Sequence, residues 1–495
     1  MASASSMRAR PEASAGVTGG RCMVASGHPL AVEAALQVLR EGGSAVDAAI
    51  AADAVLGVVE PMATGIGGDL LAMVVQPDGV AASYNGTGRS PIALTADLVR
   101  DFPGHKIPER HPLSVTTPGV VCGWSDLHRR YGRLPWRRAF QPAVSIARGG
   151  FGVAPVAARE WALFDAVLHW DPVCAALYRA GRPPRAAEHF ANPQLAAVLE
   201  AIAGDGADAF YSGPPAHAAA QASQAAGGVL SADDFKRHRG EFTTPLSTVF
   251  RGWTVLECPP NTHGVAVLDA LDELEGKELD PHDPATTLAV VQAMERSMAK
   301  AKATVADPAG NTVCTVVVGA DGLAVTLMTS IFKRFGSGIA VPGCGFALQN
   351  RGSGFAEPGH VNGVAPSKRP YHTVIPAAVT QGGRFHAGLG VVGGAMQPQG
   401  HVQLLLRLAA WHTPLQAAID APRWRLEPGA ALAIEAGTPR AIAETLRAAG
   451  YQEPKGTGEL AGRSDFGGAQ IVMRTAEGGL AGGSDRRKDG LAKGF

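Results

Sequence analysis

The feature that most constrains the fold is a hairpin in the second half of the chain. VCTVVV (313–318) and LAVTLMTSI (323–331) are apolar runs with many β-branched residues, and GADG (319–322) separates them. β-branched side chains favour the pleated strand, and a short Gly/Asp turn between two such runs is a hairpin signal.

The rest of the chain supplies both helices and strands. Residues 28–59 read as two helices broken at Gly42–Gly43, because Ala, Leu and Val recur at helical spacing on both sides. Ser44 with Asp47 reads as an N-cap box for the second helix, with Asp where Glu or Gln is usual. PMATGIGGD (61–69) is a glycine loop, followed by the strand LLAMVV (70–75) and a turn at Pro77–Asp78–Gly79. Residues 110–260 read as mostly helical, with loops at GRLP, GRPP and SGPP. Ser231 ahead of Asp233 and Asp234 marks a helix start, and RGWTVLECPP reads as a strand ended by two prolines. Residues 263–300 are helical in pattern.

After the hairpin, YHTVIPAAV and FHAGLGVVGG read as strands. HVQLLLRLAAW reads as a helix behind a QPQG turn, AQIVMR as a strand and SDRRKDGLAKGF as a polar tail. Helices, then strands, then helices suit an α+β layered domain forming one compact unit.

Charge excludes some partners. Lys plus Arg (44) balance Asp plus Glu (44), so there is no basic footprint for nucleic acid or an anionic membrane. The six cysteines (Cys22, Cys122, Cys174, Cys258, Cys314, Cys344) form no CxxC pair, which argues against zinc and for free buried thiols. No metal or cofactor is expected. Residues 1–20 lack an apolar core and read as a floppy tail rather than a secretory signal. No run reaches the length of a membrane span, and the expected location is the cytoplasm. TGIGGD (64–69) lacks GK[ST] and GxGxxG and follows a helix. It reads as a packing loop with close backbone approach near an active site, not a phosphate cradle.

Three blocks together resemble the gamma-glutamyltransferase family: GGSAVDAAIAADAVLGVVEPMATGIGGD (42–69), NTVCTVVVGADGLAVTLMTSIFKRFGSGIAVPGCGFALQN (311–350), and the run from KRPYHTVIPA through GVVGGAMQPQGHVQ to AIDAPRWRLE (368–427). The resemblance extends from about residue 21 to the end. The NTV start, the FGSG…LQNRG run and GGAMQPQGH are most similar to the oxamate amidohydrolase branch. It implies a four-layer αββα sandwich of the N-terminal-nucleophile type. It also implies self-cleavage between Asn311 and Thr312, giving a large segment (21–311 after the tail) and a small segment (312–495) that stay together as a heterodimer, with a dimer of these left open.

Chemistry fits Thr312 as nucleophile. A threonine hydroxyl needs an adjacent base, and a chain-terminal threonine carries one in its α-amine, whose reference pKa is roughly 7.7–8.0. In the precursor, Thr312 Oγ would attack the Asn311 carbonyl, giving an ester that water opens. The preceding DPAGN stretch suits a strained, accessible turn. The resemblance further implies that Gly393 and Gly394 donate backbone N–H groups to the oxyanion and that Ser330 hydrogen-bonds the nucleophile.

The specificity positions depart from the glutamyl enzymes. The family's asparagine after Ser330 becomes Phe332, and the pair gripping the substrate amine becomes Arg351 and Gly354. The serine pair becomes His372 and Thr373. The arginine expected near residue 87 is replaced by Thr87, with Arg89 two residues on. Arg351 would repel an ammonium and give a carboxylate a bidentate partner. A small carboxylate-bearing amide such as oxamate is therefore expected as substrate, with Arg351, His372, Thr373 and Arg89 as binding candidates. The segment between CPPNTHG and Thr312 is shorter than usual for the family. Three other readings stay open: gamma-glutamyl hydrolysis or transfer on glutathione-like compounds, cleavage of another bond in a biosynthetic pathway, and an unprocessed non-catalytic relic.

Overall fold

The computed structural model describes residues 16–305, 311–427, 429, 431–453 and 466–495. Two seven-stranded sheets dominate. Across the first run Val17–Gly19, Leu480–Ser484, Gly468–Arg474, Arg384–Val392, Ala377–Gln381, Trp253–Glu257 and Leu246–Phe250. Across the second run Leu491–Gly494, Met23–Ser26, Asn311–Val318, Ala324–Phe332, Asp69–Val75, Ala81–Asn85 and Glu241–Thr243. Neighbouring strands pair antiparallel within both sheets.

The expected hairpin lies near the centre of the second sheet, and side-chain alternation explains its unbroken apolarity. Val313 and Val317 join the core shared with the helices, together with Val46, Ile50 and Leu70. Cys314 and Val316 point the other way, into the core between the sheets, with Met328, Leu256, Phe385 and Val472. The sheets approach closely: a Cβ on Gly390 would lie 2.5 Å from Cys314 Sγ. Helices Val265–Leu274, Pro284–Thr304 and Met396–Leu405 cover the first sheet's outer face. The layers are therefore αββα, as the blocks implied.

Pro29–Arg40 and Ala45–Val59 are the two expected helices. All 15 residues of the second are buried, which an all-round apolar helix requires. Its capping box forms with Asp: Ser44 Oγ accepts the Asp47 N–H at 3.0 Å, and Asp47 Oδ2 accepts the Ser44 N–H at 2.9 Å. A cap of this kind contributes about 1 kcal/mol.

Four expectations need correction. The tail does not extend to residue 20, because Val17–Gly19 pairs with Leu480–Gly482; residues 1–15 lie outside the described residues. The strand expected over YHTVIPAAV begins only at Ala377. QPQG is not a turn but the first half of the helix Met396–Leu405, which runs on into one π-helical turn, Leu406–Ala410. The C-terminal segment is not a solvated tail. Leu491–Gly494 adds a strand beside Met23–Ser26, and Asp485 and Arg423, both 0% exposed, pair at 2.7 Å. Arg487 bonds both Asp485 and Glu435, so these charges are buried against one another rather than hydrated. The DPAG part of the expected turn, 307–310, lies outside the described residues.

The cysteines are free, and all but the half-buried Cys122 are buried. Among the described residues, no helix is long and apolar enough to cross a membrane.

Candidate active site

Three adjacent strands of the second sheet deliver side chains to one end. Asn311 lies opposite Phe332 and Val313 opposite Thr329, so a bulge leaves Thr312 with no partner in that ladder. Bulges re-aim a side chain and free its backbone. Ser330, next along, lies opposite Asp69 on the third strand. Gly67 and Gly68 make this junction possible: a Cβ on Gly68 would lie 2.3 Å from the Ser330 carbonyl, and one on Gly67 2.1 Å from that of Ala347. The glycine loop is thus a close-packing device, as its sequence implied.

Thr312 is 1% exposed. Its Oγ accepts a hydrogen bond from Gln397 Nε2 at 2.9 Å. Gln397 Oε1 in turn accepts the Ile375 N–H at 3.1 Å, which fixes the orientation of the amide. Gln397 stands in the first turn of the helix Met396–Leu405, which follows Gly393 and Gly394. Those glycines have φ of 124° and 64°, a region that L side chains rarely adopt. Their carbonyls accept the N–H groups of Met396 and Gln397. Among the described residues, neither glycine's own N–H is taken up by a protein acceptor. The helix is anchored one turn on by His401, whose Nδ1–H donates to Glu257 at 2.7 Å while its Nε2 accepts the Val391 N–H.

Beside Ser330 lies a guanidinium. Arg351 is 0% exposed; it donates from Nη1 to Thr373 Oγ and from Nη2 to Ser330 Oγ, each at 3.2 Å. Its plane lies over the Phe332 ring, 4.0 Å from the centroid, a cation–π contact. Phe332 has φ of 74°, strained for an aromatic residue, and its N–H donates to Ser330 Oγ. Asp69 is 3.9 Å from Arg351 Nε, and among the described residues that nitrogen has no hydrogen-bond partner. Burial lowers the guanidinium pKa against the pull of Asp69, and it stays cationic at neutral pH.

Asp69 is itself fully enclosed. Its Oδ1 accepts from the Gly88 N–H (2.7 Å) and Gln349 Nε2 (2.8 Å), and its Oδ2 from His372 Nε2 (3.2 Å). Burial alone would raise its pKa, but the hydrogen bond from His372, the Arg351 charge and Gln349 outweigh it and hold the carboxyl below its usual value. His372 Nδ1 accepts the Val374 N–H, so the ring carries its proton on Nε2. Burial, with Arg351 nearby, lowers the His372 pKa to about 4, so the ring is neutral.

Ser330, Arg351 and Thr373 are thus joined by hydrogen bonds, while Thr312 stands in the bulge of the neighbouring strand and is bonded to Gln397, whose helix begins just after Gly393 and Gly394. His372 belongs to the cluster, but both ring nitrogens face protein partners, which removes it as a direct ligand. Arg89 is apart: it is exposed, and its guanidinium reaches the Ser367 carbonyl at 3.3 Å. Sequence reasoning missed Asp69, Gln349 and Gln397. Each is a polar residue inside a glycine-rich or apolar block, and Gln397 and His401 share a helix face at i, i+4.

Among the described residues, no group of three or more His, Cys, Asp or Glu could hold a metal ion. The two stacked sheets between helical layers, with a threonine near the start of a central strand, define an N-terminal-nucleophile hydrolase. The family model for gamma-glutamyltranspeptidase matches residues 31–314 and 308–495. The chain is 32% identical to the "Glutathione hydrolase-like YwrD proenzyme" of Bacillus subtilis, over 97% of this chain and 99% of that protein. It is also 32% identical to the "Oxamate amidohydrolase proenzyme" of Klebsiella pneumoniae, over 96% and 98%. Among solved structures, a cephalosporin acylase from Bacillus halodurans superposes with a TM-score of 0.93 at 32% identity, covering 100% of this chain and 99% of that one. The chain belongs to the gamma-glutamyltranspeptidase family, and it is an amide hydrolase of the N-terminal-nucleophile class.

Proposed function

We propose that the chain is a precursor that cuts itself before Thr312 and then hydrolyses a small amide bearing a carboxylate beside its carbonyl, such as oxamate. Thr312 Oγ attacks the Asn311 carbonyl, and water opens the resulting ester. The freed α-amine then serves as base when Oγ attacks the substrate amide. The N–H groups of Gly393 and Gly394 receive the developing oxyanion, where donors already in place cost no reorganisation. Ammonia leaves, and water releases oxalate. The fragments 1–311 and 312–495 stay together as a heterodimer, because 311–318 and 324–332 lie between 23–26 and 69–75 in one sheet.

The observation that carries the substrate reading is the incomplete compensation of Arg351. A buried guanidinium has two hydroxyl partners and one carboxylate beyond hydrogen-bond distance, and one of those hydroxyls, Ser330, lies on the strand paired with that of the candidate nucleophile. A substrate carboxylate would complete it. That proximity suits a short substrate, whose charge lies next to the scissile carbonyl. Thr373 and Ser330 hold the guanidinium; His372 acts through Asp69.

The test is kcat/KM for oxamate against a gamma-glutamyl anilide on the purified, processed protein. Preference for oxamate supports the reading. Efficient turnover of the anilide, with no ammonia from oxamate, overturns it in favour of the ordinary glutamyl activity.

A further inference from the structure

Within the reading of Thr312 as nucleophile, one contact carries more than its place in the fold requires. Gln397 has a single donor group and a single acceptor atom in its amide. The acceptor, Oε1, is taken by the Ile375 N–H, so the atom facing Thr312 Oγ at 2.9 Å must be the donor, Nε2. Both ends are buried: Gln397 is 0% exposed and Thr312 1%. An NH₂ group cannot accept a proton. The Thr312 hydroxyl therefore accepts from Gln397, and its own hydrogen must point elsewhere.

We infer that Gln397 is a catalytic group that sets the direction of the Thr312 hydroxyl and stabilises negative charge on Oγ. With one Oγ lone pair engaged by Nε2–H, the O–H bond is free to turn toward the α-amine. In the acylation step the O–H proton passes to that amine, the Oγ–carbonyl bond forms, and the C–N bond breaks with the proton delivered to the leaving nitrogen. In deacylation water gives its proton to the amine, its oxygen joins the carbonyl, and Oγ leaves and regains a proton from the amine. Oγ bears partial negative charge on entering and on leaving, and the same fixed donor meets it both times. The role extends to self-cleavage, where Oγ is again the attacking atom.

The anchoring fits this purpose. Ile375 lies on the segment just before the strand Ala377–Gln381, while Gln397 opens the helix behind Gly393 and Gly394. One helix start thus presents the unclaimed glycine N–H groups and the amide that addresses the nucleophile. His401, one turn later and bonded to Glu257, holds the helix against the sheet.

Two substitutions test the inference. Gln397→Met keeps length and removes the donor. Gln397→Glu keeps an acceptor for Ile375 and places an acceptor where the donor stood. Both should lower kcat at least tenfold with KM within about twofold, and both should slow the appearance of the two fragments. The pH profile separates chemistry from packing. A carboxylate beside the α-ammonium favours its charged form, so the rising limb of kcat should move to higher pH in Gln397→Glu and stay in place in Gln397→Met. Thermal unfolding midpoints check that both variants are folded, and Gln397→Glu retains the Ile375 anchor if methionine disturbs packing. Variants that fragment and turn over at wild-type rates, while the wild type fragments normally, overturn the role of Gln397 and leave Thr312 standing. A wild type that never fragments removes the nucleophile, and this inference with it.

Discussion

Replacing Arg351 with glutamine separates substrate recognition from catalysis. The change removes the charge and the two outer nitrogens that hold Thr373 Oγ and Ser330 Oγ. Toward an anionic amide, the loss of a charge-assisted, forked contact costs about 1.5–3 kcal/mol, or roughly ten- to a hundredfold in kcat/KM. The fold should lose less than a broken buried ion pair usually costs. Asp69 stands 3.9 Å from Arg351 Nε, outside hydrogen-bond distance, and keeps the Gly88 N–H, the Gln349 amide and the His372 N–H. We expect a destabilisation of about 1–3 kcal/mol. Self-cleavage should persist, because Ser330 Oγ keeps its bond from the Phe332 N–H and Thr312 keeps Gln397. The assay is ammonia release from oxamate alongside a gamma-glutamyl anilide, with thermal unfolding of each protein. Arg351→Lys, which keeps the charge without the fork, should fall between wild type and glutamine. If Arg351→Gln lowers both substrates by one factor, or leaves oxamate untouched, the guanidinium does not select the anion.

Two other outcomes follow from the same geometry. Activity should rise with pH through roughly 7–8 as the α-amine loses its proton, and a flat profile from about pH 6 to 9 under chemistry-limited conditions would exclude that base. Asp485 lies between Arg423 and Arg487; although burial opposes it, they hold its pKa down to about 2. A depressed carboxyl contributes stability that is present above its unfolded value of about 3.9 and fades as pH falls toward 2. Asp485→Ala, leaving Arg423 without its carboxylate, should cost about 3–5 kcal/mol at neutral pH and flatten the acid limb, as read by denaturant unfolding from pH 2 to 7.

Local patterns reported the scaffold well where one physical cause decided the outcome. The 313–331 hairpin, the helix break at Gly42–Gly43 and the Ser44–Asp47 cap follow from turn chemistry and periodicity within a few residues. The C-terminal segment did not, since its charges are satisfied by Arg423 and Glu435, which lie more than 45 residues away in sequence. QPQG misled for a related reason. Proline suits the first turn of a helix as well as a loop, and only the preceding Gly393–Gly394 turn distinguishes them. Within the site, family motifs pointed to Thr312, Ser330 and the glycines, whereas Asp69 and Gln397 gain their partners from strand register and sheet stacking. His372 shows the limit of reading a role from register with a family motif: its neighbours at Asp69 and Val374 occupy both nitrogens.

The central claim is that this chain makes its own catalytic N-terminus at Thr312. Purified protein, incubated and run on a denaturing gel, should give two fragments, and sequencing the smaller should read Thr-Val-Cys. Thr312→Ala should remain one chain and be inactive. A single full-length wild-type band after long incubation, or a smaller fragment that begins at any other residue, would contradict the account.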